Sequence, residues 1–208
     1  STSTCFGVHL STASTQWTIT NNSFYQTAAR VLAAAQFSAI NVNLTTSNSH
    51  IVSNNFIGGS APLCGGGAMT LTGAGNLRAI NMNVGPGIST VQGNTIQNIN
   101  LTTSNGTGFN GGLILGQGAF NCISNTIGSL AVNNSIVVTA SGSAFIFCGI
   151  IFGGSSPTNL STILNNSIGG IALTVSGTPA TPGSIRCISV QGTTVGHNYT
   201  VSANTIGS

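Results

Sequence analysis

The side chains of this chain best suited to moving a proton are three histidines and two tyrosines: His9, His50, His197, Tyr25 and Tyr199. His197 and Tyr199 share one loop (GHNYT), and a His beside a Tyr can abstract a proton and return it. The usual partners of such groups are missing. The 208 residues contain no Asp and no Glu, and the only formal charges sit on Arg30, Arg78 and Arg186. Glycoside hydrolysis by paired carboxylates is thereby excluded, and a calcium ion would find only backbone and Asn carbonyls. The expectation is a chain with no catalytic residues, no metal and no cofactor, its histidines serving as ordinary polar residues.

Glycine clusters at residues 65–67, 85–87 and 106–112 superficially suggest phosphate loops. No Lys follows any of them and no helix opens there, so they are expected to be loops between strands. A net charge of +3 on three scattered Arg residues is too little for a phosphate backbone,. Neither an apolar run long enough to span a membrane nor a signal-peptide core is present in these residues. Solubility must come from Ser, Thr and Asn, and with so little charge to keep copies apart, self-association is expected.

What would position these residues is a repeat. An aliphatic residue or Cys, two spacers, an Asn, one small or aromatic residue and then Ile or Phe recur as ITNNSF, VSNNFI, VQGNTI, CISNTI, ILNNSI and VSANTI. The Asn residues are Asn22, Asn55, Asn94, Asn125, Asn166 and Asn204, spaced 33, 39, 31, 41 and 38 residues apart, which is solenoid spacing. A second phrase keeps step with it. A small residue opens a short apolar run at Cys5, Ala39, Ala79, Gly111, Cys148 and Cys187, always at a similar distance ahead of its Asn.

Within the phrases apolar residues alternate, as in AINVNL and AINMNV, which marks strands with one buried face. Ile40, Val42 and Leu44 are expected inside and Asn41 and Asn43 outside. A third alternating run follows in several repeats (NINL, SLAV, GIALTV), so each turn holds three short strands. The Ala-rich stretch at residues 28–36 is the one candidate helix, but the interval is too short and a strand is preferred. The fold class expected is all-β, a right-handed parallel β-helix of about five to six three-stranded coils. Each Asn would stack on its equivalent in the next coil as an internal ladder, its amide satisfying backbone groups freed by the bend. One domain is expected over residues 1–208; the ends lack a polar cap, as in an excerpt of a longer repeat protein.

These phrases resemble the parallel β-helix repeat of pectate-lyase-like proteins. The NTIGS and NNSIGG endings in a charge-poor, Ser/Thr/Asn/Gly-rich chain are similar to large secreted or surface repeat proteins of Bacteroidota. That resemblance implies a fold rather than an activity, because the architecture hosts enzymes, tailspikes, adhesins and stalks alike.

Five Cys residues leave at least one unpaired. Cys148 and Cys187 fall on consecutive turns, where a bridge is geometrically open, although a small apolar filler is the preferred role. Cys122 takes an aliphatic repeat position and is expected in the core. On the outside, Leu113, Leu115, Cys148, Ile150 and Phe152 point out by this register and form a candidate interface with another chain or a flanking segment. Trp17, Tyr25 and Tyr199 are candidate glycan contacts. Ranks of hydroxyls beside the Asn turn (Thr18, Thr90, Thr162, Thr200; Ser23, Thr95, Thr126, Ser167, Thr205) raise ice binding as an alternative. The expected function is that of a non-enzymatic extracellular or cell-surface stalk, adhesin or fibre subunit. Its partners would be copies of itself, flanking segments or a glycan, with no nucleic acid and no membrane span.

Overall fold

The computed structural model describes residues 4–12, 16–105, 109–141, 145–154, 159–176, 183–192 and 198–207. Among these residues there is no helix, and the chain winds as a parallel β-solenoid of about five turns with three strands per coil. The first sheet stacks Cys5–Leu10, Gln36–Leu44, the start of Asn76–Gln92, the start of Phe109–Ile123, Ile146–Phe152 and Ser184–Val190. Past a corner it continues through Thr18–Thr20, Ile51–Ser53, the ends of the two long strands, Ser161–Leu164 and Tyr199–Ser202. The second sheet follows the Asn turn, with short strands such as Thr95–Ile96 and Ser167–Gly169. The third holds Arg30–Leu32, Met69–Gly73, Ile99–Thr103, Ile136–Ala140 and Ile171–Val175. Residues 28–36 contain a strand, not a helix.

Every coil pairs in register with the next because the apolar alternation repeats from coil to coil. Ile40, Val42 and Leu44 sit opposite Ile80, Met82 and Val84, and all six are buried in one continuous core. Each such side chain contributes roughly 1.5–3 kcal/mol by leaving water, which no single coil could collect without a neighbour to close over it. His197 lies outside the described residues.

The first sheet departs from simple alternation where its small residue sits, and this reverses an expectation. Two consecutive residues face the interior: Ala39 with Ile40, and Ala79 with Ile80, all within the core cluster. The equivalent inward small position is Gly7, Gly112, Gly149 and Cys187 in the other coils, as the pairing requires. A Cβ on Gly112 would stand 3.0 Å from the Ile127 side chain and one on Gly149 2.9 Å from Ile168, so both positions are crowded from within.

The small residue of these two coils is thus Gly112 and Gly149 rather than Gly111 and Cys148, a slip of one. In a strand, such a slip exchanges the two faces. Leu113, Leu115, Ile150 and Phe152, expected outside, are fully buried in the main core. Cys148 does lie on the outer side, yet it too is fully buried, against Ile114 and Ile151. The five residues do not form an exposed apolar patch.

Candidate functional site

The bend between the first and second sheets is built the same way in every coil. The residue before the ladder Asn takes a left-handed backbone: Asn21, Asn54, Gly93, Ser124, Asn165 and Ala203 have φ of 57°, 54°, 64°, 54°, 56° and 53°. The ladder Asn itself is therefore not selected for left-handed geometry. Its amide works across coils. Asn55 donates from both its backbone N–H and Nδ2 to Asn94 Oδ1 at 3.0 and 2.9 Å, and Nδ2 also donates back to the Ile19 carbonyl at 2.9 Å.

The same set links Asn22 to Asn55, Asn94 to Asn125, Asn125 to Asn166 and Asn166 to Asn204. Each interior amide thus uses both donors and both lone pairs, and Asn55, Asn94, Asn125 and Asn166 are wholly buried. Cys122, at the preceding aliphatic position, is in the core as expected, and burial pushes its thiol up to about 12.

A second cross-coil rank lies at the other corner and carries no single residue type. His50 Nδ1 accepts the Trp17 N–H at 3.2 Å, Ser89 Oγ accepts the His50 N–H at 3.1 Å, and Ser161 Oγ accepts the Phe120 N–H at 3.2 Å. His50 is hence a buried structural acceptor, not a surface residue. Because Nδ1 accepts, the ring proton is on Nε2, and that atom is buried with no hydrogen-bond partner. Burial lowers the His50 pKa, more than the nearby Ser47 backbone raises it.

A groove of about 340 Å³ opens on the outside of the first sheet, lined by Arg78, Asn81, Asn83, Ile114, Ile151 and Gln191. Its origin is the double inward position. With two consecutive residues turned in, the outward residues on either side lean together, which is why Cys148 and Ile151 touch Ile114 in a cluster outside the main core. Gly116 and Gly153 leave the groove floor open, and a Cβ on Gly116 would meet Asn83 Oδ1 at 2.4 Å.

Across the coils the rank in this groove changes chemistry. His9, Asn41 and Asn81 pair in succession, then Ile114, Ile151 and Ser189. The polar end is itself a ladder, with Asn41 Nδ2 2.8 Å from His9 Nδ1 and Asn81 Nδ2 donating to Asn41 Oδ1 at 2.7 Å. Arg78 borders the groove with its Nε buried and unpartnered. Burial disfavours its charge, and a chain without carboxylates offers no counter-ion to offset that cost,.

The aromatic candidates do not form one platform. Trp17 and Tyr199 occupy the same repeat position five coils apart, which is about 24 Å at ~4.8 Å per strand. Trp17 and Tyr25 are each 43 % exposed. Tyr199 instead packs edge-on against Phe152 and donates its hydroxyl to the Gly154 carbonyl at 3.0 Å, so it caps the interior. His9 stacks flat on Phe6 with ring centroids 4.3 Å apart. All five cysteines are free. Cys148 pairs with Arg186 on the outer side while Cys187 faces inward, so the two thiols lie on opposite faces of the sheet.

Sequence reasoning missed the groove because it depends on which of two adjacent small residues turns inward. The doublets Gly111-Gly112 and Cys148-Gly149 present two candidates each. The signal that separates them is volume, since the inward member must fit beneath the second-sheet Ile. Compared with protein-family models, curated proteins and solved structures, the chain shows no match.

Proposed function

We propose that this protein is a non-enzymatic, extracellular or cell-surface β-helix that acts structurally, as a stalk, surface adhesin or fibre-forming subunit. The observation that carries the reading is the Asn ladder, unbroken from Asn22 to Asn204. A spine of cross-coil amide bonds resists separation of the coils along the axis, which is what a load-bearing rod requires. The composition supports the same reading. With no Asp or Glu in the chain, little like-charge repulsion opposes side-by-side packing. The resemblance to secreted or surface repeat proteins of Bacteroidota agrees with it. Electron microscopy of the concentrated protein tests the fibre-forming form: elongated rods or filaments are expected, and short dispersed particles alone would count against it.

A second reading is glycan binding, favoured by the outer groove rather than by the scattered aromatics. Amides at Asn81, Asn83 and Gln191 and the Arg78 guanidinium surround an apolar floor of Ile114 and Ile151, the mixture that a sugar ring with one polar edge and one apolar face recruits. A glycan array with the native protein and an Arg78→Met variant distinguishes it. Signal lost in the variant supports the groove, and no signal on any glycan removes this reading.

A further inference from the structure

We propose that the outer face of the third sheet binds ice. Thr72, Thr102, Thr139 and Thr174 are paired neighbours on four consecutive strands. Their inner neighbours Leu71, Leu101 and Val138 are buried in the core, which turns the threonines outward. A parallel rank two residues earlier holds Thr70, Asn100, Val137 and Ala172. None of the four Thr hydroxyls bonds to another protein group among the described residues.

Hydroxyls beside the Asn turn are partly engaged. Thr162 is engaged with Asn121 at 3.0 Å and Thr20 with Ser53 at 3.1 Å, and Ser23 accepts the Leu63 N–H at 3.2 Å. Ile51 and Phe56 interrupt the ranks beside the Asn turn. Past Phe56, Thr95, Thr126, Ser167 and Thr205 continue as one rank, but on strands of only two or three residues, too short to hold a second row beside it.

The spacing suits a water lattice. Strands stack at ~4.8 Å and alternate residues along a strand lie about 6.6 Å apart, so the four hydroxyls form one row held by the core beneath, with Thr70, Asn100, Val137 and Ala172 in the row beside it. Two oxygens that share one tetrahedral water neighbour at about 2.8 Å are about 4.6 Å apart, close to the step between strands. Each hydroxyl both donates and accepts, as a lattice water must, and the methyls of Thr, Val137 and Ala172 order the water between them. The face carries no charge to impose a competing hydration shell. It also carries no aromatic ring, which favours ice over a crystalline polysaccharide, where stacking supplies the contact.

The test is partition of the native protein into slowly growing polycrystalline ice, with the shape of a single ice crystal as a second readout. Enrichment in the ice and faceting of the crystal are expected. Thr102→Arg, at the exposed centre of the face, is expected to lower the ice-bound fraction on the order of tenfold. Thr102→Val, which keeps the shape and removes one hydroxyl, is expected to lower it less, and Thr162→Arg on the first sheet to leave it unchanged. Circular-dichroism melts establish that each variant is folded. Exclusion of the native protein from ice overturns the proposal, as does equal loss in Thr102→Arg and Thr162→Arg. Retention on microcrystalline cellulose in place of ice overturns it too.

Discussion

The amide rank at the bend and the amide rank on the outer face of the first sheet begin alike. At the bend, Asn22 bonds Asn55 and the pattern repeats to Asn204; outside, Asn81 bonds Asn41 and Asn41 meets His9. The inner rank never changes residue, whereas the outer one passes to Ile114 and Ile151 after three coils. The difference is the number of bonds each amide carries. Both ranks are buried, with Asn41 and Asn81 5 % and 6 % exposed, but the interior bend amides use both donors and both lone pairs whereas Asn81 donates a single side-chain bond. An amide at the buried bend has only its neighbours and the freed backbone to bond, so replacing one strands the groups on both sides. Loss of Asn81 strands one acceptor, Asn41 Oδ1, beside the open groove. Uniformity therefore records how many groups depend on one amide, and variation marks where this molecule is free to acquire a binding surface.

The sharpest way to break that comparison is to delete one amide of each kind. Asn94→Ala removes bonds to Asn125 Oδ1 and the Val52 carbonyl and orphans the Asn55 donors. It is expected to cost more than about 3 kcal/mol in urea unfolding. Asn81→Ala, in the outer rank, is expected to cost about 1 kcal/mol. Equal costs would mean that the number of bonds per amide does not separate the two ranks.

A smaller effect is expected from the backbone that presents the ladder. Gly93→Ala places a Cβ at a φ of 64°, 2.4 Å from Asn54 Oδ1. It is expected to cost about 1–2 kcal/mol, measured by the same unfolding transition. No loss would show that the bend tolerates any residue ahead of its Asn.

The second corner sharpens the comparison through pH. Burial holds the folded His50 below the ordinary value, so the unfolded chain binds its proton first as pH falls. Stability from this group is full above about pH 6.5 and declines as the pH drops through the lower folded value. Thermal melts between neutral and mildly acid pH are expected to show that decline, and His50→Gln to flatten it. A slope unchanged in His50→Gln assigns the acid sensitivity elsewhere.

The smallest effect is on thiol reactivity. Burial raises Cys122 to about 12 and Cys148 to about 11, so alkylation of the native protein is expected to reach half-buried Cys187 before either,. Early labelling of Cys148, read by peptide mass, would mean that the outer cluster opens to solvent.

Most of the fold was legible in the sequence, because a core shared between coils forces the same alternation to recur and the Asn turn marks its phase. The inward direction of Ile40, Val42 and Leu44 and the pairing of all six ladder Asn follow from that recurrence alone. The groove was not legible. Where Gly111 adjoins Gly112 and Cys148 adjoins Gly149, two small residues compete for one inward place and alternation cannot choose between them. Nor was the role of His50, since its acceptor contact with Trp17 joins residues 33 apart.

By itself, the sequence determined a stacked parallel β-fold, a spine of asparagines and the lack of carboxylate chemistry, because periodicity and composition are properties of the chain read in order. Only the tertiary structure decided which face each middle-coil residue serves, which hydroxyls remain without protein partners and where a groove opens. Those depend on how much room the neighbouring coils leave at one corner, a matter of volume in three dimensions.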